Sequence, residues 1–148
     1  MRNKLYASIL VMFLGFIISG VGFGFTFTLV NNSQQFPIKI LAGRSHCISY
    51  NVLPTVKKGG TRLMDVEGAS YCVTSTRVIH FHVYTVTQGG WVYIGAIHFR
   101  WHDGLHYVTI YPESGASVTY SMQTTTGPNP GVANAPDTLS AVVTFTDQ

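Results

Sequence analysis

Hydrophobicity along most of this chain alternates with a period of two, in short runs closed by turn residues, and no window carries a capped 3.6-residue period. That pattern makes the strand the building unit. Strands are expected near residues 25–30, 38–42, 47–52, 61–66, 77–87, 91–101, 105–111, 118–122 and 139–146. Between them lie Asn31-Asn32-Ser33, Ala42-Gly43, Lys57-Lys58-Gly59-Gly60, Gly89-Gly90, Asp103-Gly104 and Glu113-Ser114-Gly115. About eight or nine strands in this length predict an all-β fold, an antiparallel β-sandwich or its flattened-barrel relative. The stretch Thr124–Thr138, with Pro128, Pro130 and Pro136, reads as a long loop.

The turns fix the register in the middle of the chain. Asp103-Gly104 suits a two-residue type I′ hairpin, because both central residues tolerate positive φ. It pairs Trp101 with His106, Phe99 with Val108 and Ile97 with Ile110 on one apolar face. Arg100–Tyr107, His98–Thr109 and Ala96–Tyr111 then share the other face. For the preceding hairpin, a two-residue Gly89-Gly90 loop would set His80 and His82 against Phe99 and Ile97, mixing the faces. A three-residue loop ending in a left-handed glycine pairs Ile79 with Phe99, Phe81 with Ile97 and His80 with His98, and is the expected register.

That register gathers His80, His82, Tyr84, His98, Arg100, His102, Tyr107, Thr109 and Tyr111 on the non-core face of three adjacent strands. Five of the six histidines fall between positions 80 and 106. A solvated sheet face is one explanation, since cross-strand polar pairs are ordinary there. A binding face is another. Tyrosine and histidine offer flat surfaces with polar tips and arginine a fixed donor fork, which suits a surface glycan, a lipid headgroup or a protein loop. The third is a Zn or Cu site on His80, His98 and His82, because cross-strand imidazoles can converge on one ion. Trp91, Tyr93 and Trp101 alternate with core-facing positions and are expected to fill the sandwich. Asn31-Asn32-Ser33 is both a glycosylation sequon and a hairpin turn.

The first residues read differently. Arg2 and Lys4 precede an uncharged apolar stretch through Ile18, and small residues follow at Ser19, Gly20, Gly22 and Gly24. This is the order of a cleavable secretory signal over residues 1–24, cut after Gly22 or Gly24 and leaving one domain over 25–148. A retained anchor would need roughly 20 apolar residues, and this run breaks into glycines first. Two of the nine Lys and Arg lie in this leader, leaving seven against six acids, a net of about +1. Phosphate neutralisation needs a basic stripe, which that balance does not supply, so a nucleic-acid partner is excluded. In the expected secreted or periplasmic setting, the two cysteines, Cys47 and Cys72, should form a disulfide.

No enzyme motif stands out: the chain holds no G-x-S-x-G, H-E-x-x-H or phosphate loop. His102 and Asp103 are adjacent, but strand neighbours point apart and do not make a dyad by adjacency alone. The opening strand with its Asn-Asn-Ser turn, together with Gly95, Ile97 and Trp101, resembles the aegerolysins over two short segments. Those are small secreted β-sandwich proteins that bind membrane lipids, and the resemblance implies a membrane-surface ligand. The expected function is a non-enzymatic binding or surface-interaction module, membrane-active or host-directed roles included, with no catalytic residue and no obligate cofactor. It would use the histidine face or the Thr124–Thr138 segment. A histidine-based metal protein is the alternative, and a small secreted hydrolase follows it.

Overall fold

All nine expected strands form. The computed structural model describes residues 24–69, 72–103, 105–124, 127–128, 132–135 and 140–148. Twelve strands run in chain order: β1 Gly24–Asn31, β2 Ile38–His46, β3 Ile48–Tyr50, β4 Thr55–Val56, β5 Thr61–Gly68, β6 Thr76–Thr87, β7 Gly90–His102, β8 Leu105–Pro112, β9 Val118–Thr124, β10 Gly127–Pro128, β11 Val132–Ala135 and β12 Ser140–Asp147. The three that the sequence pattern does not announce, β4, β10 and β11, are two to four residues long. Two of them correct the reading of Thr124–Thr138 as loop alone. β10 pairs with β9 and β11 with β8, so the segment passes from the edge of one sheet to the edge of the other. The expected leader lies outside the described residues except for Gly24, which opens β1. Among the described residues no helix is long and apolar enough to cross a membrane.

The strands form two packed sheets. The first has the order β10-β9-β12-β1-β5-β3 and the second β11-β8-β7-β6-β2-β4. Pairing is antiparallel with one exception among the described strands: β1 and β12 run parallel, from Thr26 opposite Ser140 to Asn31 opposite Phe145. Period-two alternation turns Phe25, Phe27 and Leu29 of β1 and Val143 and Phe145 of β12 inward. Ile79, Phe81 and Val83 of β6 and Ile97 and Phe99 of β7 face them, all buried. The two layers meet through rings, Phe25 with Phe99 at 5.0 Å between centroids and Phe27 with Phe81 at 6.0 Å. Each such side chain removed from water contributes about 1.5–3 kcal/mol before chain entropy is set against it.

Two corners hold the layers in place. Cys47, in a left-handed conformation at φ 57°, turns the chain from β2 in the second sheet to β3 in the first. Cys72 lies where the chain crosses back from β5 to β6. The Cys47–Cys72 disulfide, with Cα atoms 5.5 Å apart, therefore joins two crossovers between the sheets. On a chain-entropy view its loop of about 26 residues is worth about 3.5 kcal/mol. Arg77 braces the same corner, donating through Nη2 to the Cys72 carbonyl at 3.3 Å and lying over the Trp101 ring. The other corner centres on Asn31, which is fully buried and donates through Nδ2 to the carbonyls of Phe36 and Val56. Its amide accepts no glycan in that position. Nor is Asn31-Asn32-Ser33 a hairpin turn, because β1 and β2 belong to different sheets.

The Asp103 hairpin forms as expected, with Asp103 at φ 48° and every pair from His102–Leu105 to Ala96–Tyr111 in register. The β6–β7 hairpin reaches its expected far register by another route. Its loop is Gln88-Gly89, with Thr87 opposite Gly90, and the extra residue enters as a β-bulge at Ile94, between Tyr84–Tyr93 and Val83–Gly95. Gly95 sits at φ 136°, and a Cβ there would overlap the Tyr111 carbonyl oxygen and the Tyr120 hydroxyl. That hydroxyl reaches across from β9 and donates toward two second-sheet carbonyls, Ala96 at 3.1 Å and Tyr111 at 3.0 Å. Tyr120→Phe should lower unfolding free energy by about 1–3 kcal/mol, the cost of losing a hydroxyl proton shared between two carbonyls at the sheet interface. Gly95→Ala should cost about 2–4 kcal/mol, because strained backbone and overlap add. Urea denaturation of both variants checks the order.

Candidate functional site

The outer face of the second sheet carries every residue of the expected histidine face. On β6, Val78, His80, His82 and Tyr84 alternate with the buried Ile79, Phe81 and Val83. On β7, His98, Arg100 and His102 do the same around Phe99, and Tyr107, Thr109 and Tyr111 follow on β8. Pairing across the strands brings their side chains into contact. His80 and His98 stack nearly parallel, with centroids 3.8 Å apart and planes 9° from one another. His98 also meets the Tyr111 ring at 4.6 Å, and the Arg100 guanidinium lies 4.6 Å over the Tyr107 ring.

The bulge at Ile94 adds residues that the sequence reading placed in the core. Past it, alternation along β7 changes face, so Trp91 and Tyr93 point outward at 50% and 40% exposure. Only Trp101 of the three expected fillers packs against the core. Tyr93 lies 5.6 Å from Tyr84 and Trp91 6.1 Å from it, and Lys39 of β2 places its Nζ 3.4 Å over the Trp91 ring. The result is two groups of touching rings on one face, Trp91, Tyr84, Tyr93 and His82 in one and His80, His98 and Tyr111 in the other. Gly95 within a strand pattern is the sequence signal for that bulge.

Between β6, β7 and β8 the surface dips into an open cleft of about 330 Å³, lined by Val78, His80, His98, Arg100, Tyr107, Thr109 and Tyr111 among others. Burial is the main reason that the His98 pKa lies below its ordinary value, and the neighbouring His80 and His82 lower it further.

The expected metal ligands are not gathered as a triad. Among the described residues no three His, Cys, Asp or Glu form a group that could hold an ion. His80 and His98 lie face to face, which points their nitrogens along parallel planes. The His82 ring packs instead over Gly43, where a Cβ would collide with it, and near Tyr93 at 6.0 Å.

His102 behaves otherwise than expected. Its Nε2 lies 3.2 Å from an Asp103 carboxylate oxygen, and its Nδ1 lies 2.6 Å from the Thr76 hydroxyl. The turn conformation of Asp103, with φ 48°, folds the carboxylate back toward its neighbour, which extended strand geometry would not. Both side chains are largely in water, at 43% and 66% exposure, where such a pair is worth little. His106, on the core face, packs against Phe25 and Phe99 as its strand position requires.

Compared with protein-family models, curated proteins and solved structures, the chain gives no match in any of the three. The resemblance to aegerolysins finds no support there.

Because the folded-state His98 pKa is depressed, its contribution to stability is fully present above the ordinary histidine value near 6.5 and is lost as pH falls through the lower folded value. Thermal midpoints of wild type should therefore drop between about pH 7 and pH 5 more steeply than those of His98→Asn. Parallel profiles for the two proteins would contradict this.

Proposed function

We propose that the chain is an exported, non-enzymatic binding module whose ligand docks on the outer face of the second sheet, with a surface glycan as the leading ligand class. One observation carries the reading. A run of aromatic and imidazole rings lies on the outer face of the second sheet, with Trp91, Tyr93 and Tyr111 each at least 40% in water. Contiguous exposed apolar area is costly for a domain with no partner, and clustered rings with polar tips suit recognition. Tyrosine and tryptophan add contact area at low conformational cost, because two torsions fix each ring.

The exposed rings beside a cleft with polar lining favour a glycan. Sugar rings present C–H faces to aromatic planes and hydroxyls to polar tips, and Thr109, Tyr107, His80 and Arg100 supply those tips beside the cleft. A lipid headgroup or a protein loop would meet the same chemistry. Export rests on the positive, apolar and small order of the first residues and on the disulfide.

Glycan-array and liposome binding test the proposal on wild type and two variants, the triple His80→Ala, His98→Ala, Tyr107→Ala and the double Trp91→Ala, Tyr93→Ala. Each variant should weaken binding at least tenfold, as loss of central anchor residues does. Wild-type affinity in both would remove the ligand from this face. Titration with Zn and Cu separates the metal alternative: ion binding tighter than about micromolar, lost in His98→Ala, would replace the glycan reading.

A further inference from the structure

We infer that the ligand is an anionic saccharide, whose carboxylate or sulfate docks in the cleft against the Arg100 guanidinium while its rings extend over the aromatic surface. This rests on the outer face of the second sheet being the binding face.

The first support is where the charges lie. Outside the expected leader the chain is nearly balanced, yet no described acid lines the cleft. Of the five described acidic residues, Asp65 and Glu67 stand on β5 and Asp147 on β12, all in the other sheet. Asp103 and Glu113 follow the ends of β7 and β8, Asp103 beside His102 and Glu113 close enough to Tyr93 to add to the rise that burial gives its pKa, and neither lines the cleft. The outer positions of β2, β6, β7 and β8 instead hold Lys39, Arg100, His80, His82, His98 and His102. At the cleft itself Arg100 is a fixed cation and no carboxylate is among the lining residues, which favours an anion there.

The second support is the state of Arg100. Its guanidinium lies over Tyr107, and no carboxylate pairs with it among the described residues. The fork is thus held by the ring while its N–H edges stay available for a bidentate oxyanion. Beside it the cleft offers hydroxyls at Thr109, Tyr107 and Tyr111. Its volume, about 330 Å³, lies at the small end of ligand pockets and suits a single substituted ring rather than a large aglycone. From Arg100 the surface continues along β7 to Tyr93, about 20 Å away by strand rise, and to Trp91, about 26 Å away. That length calls for an oligomer.

The histidines give the site a pH response. His98 faces His80 and His82 from β6, Tyr111 and Tyr107 from β8 and Arg100 on its own strand, with Lys39 of β2 further along. No acid in that set stabilises an imidazolium. A bound oxyanion would, so binding takes up a proton and strengthens as pH falls.

Calorimetric titration tests this with three probes long enough to span the face: hexagalacturonic acid, its methyl ester and a sulfated neutral-sugar hexamer. Wild type, Arg100→Gln and the Trp91→Ala, Tyr93→Ala double are compared at about pH 5.5 and 7.5, with thermal melts to confirm folding. Wild type should bind the acid at least tenfold more tightly than the ester, and more tightly at the lower pH. Arg100→Gln should bind both alike. Stronger binding of the sulfated hexamer would identify sulfate rather than carboxylate as the anion. Equal binding of acid and ester by wild type, or full affinity for the acid in Arg100→Gln, would overturn the inference. If the ester still binds and the aromatic double abolishes it, the glycan-binding face stands without the anion. If wild type binds no saccharide, the inference falls. The binding face falls with it only if the glycan array and liposomes are also blank.

Discussion

The rest of the architecture depends on a contact between the two sheets, the Tyr120 hydroxyl of β9 set against the Ala96 and Tyr111 carbonyls. It sits where β7 takes in one extra residue, and the close approach leaves room only for Gly95. The phenol is buried and its pKa is raised well above the ordinary value, chiefly by desolvation, so it remains a neutral donor at any physiological pH. This clamp sits at the close approach of the sheets and at the bulge that turns the preceding side chains of β7, Trp91 and Tyr93, outward. Without the bulge, one end of β7 would present its rings to the core while the other presented histidines to water.

Much of this was legible in the residues. The strands were, because period-two alternation and turn chemistry are local and agree with the tertiary result. The β7–β8 register was too, since Asp103-Gly104 leaves few choices of turn. The far register of β6 and β7 came out correctly for an incomplete reason. Requiring an apolar core face demands one extra residue in the hairpin, but it does not say where that residue enters. The sequence reading put it at the turn, and the structure has it at Ile94. That difference of four residues decides whether Trp91 and Tyr93 are core or surface. The short strands β4, β10 and β11 were not legible, because they exist only by pairing with edges that distant segments provide.

The candidate site shows the same division. Which residues share the outer face followed from alternation. What they do to each other did not: the stack of His80 on His98, the turn of His82 toward Gly43 and the seat of Lys39 over Trp91 depend on neighbours from other strands. The charge segregation has an intermediate standing. Each acid can be placed on a turn or strand from sequence, but only the structure shows that Asp103 meets His102 at the margin of the face while no described acid lines the Arg100 cleft.

The parallel pairing of β1 with β12 has a kinetic consequence. The hairpins of β6, β7 and β8 join residues close in the chain, and their loops close quickly. The first sheet cannot be completed that way, because β1 lies between β5 and β12 and one of its two neighbours is the last strand of the sequence. A chain emerging from its N-terminus would form the histidine-bearing sheet while one edge of β1 still lacked a partner. The two halves of the sandwich would then mature on different clocks, and the exposed edge of β1 would be the place most open to mispairing until Ser140–Asp147 arrives.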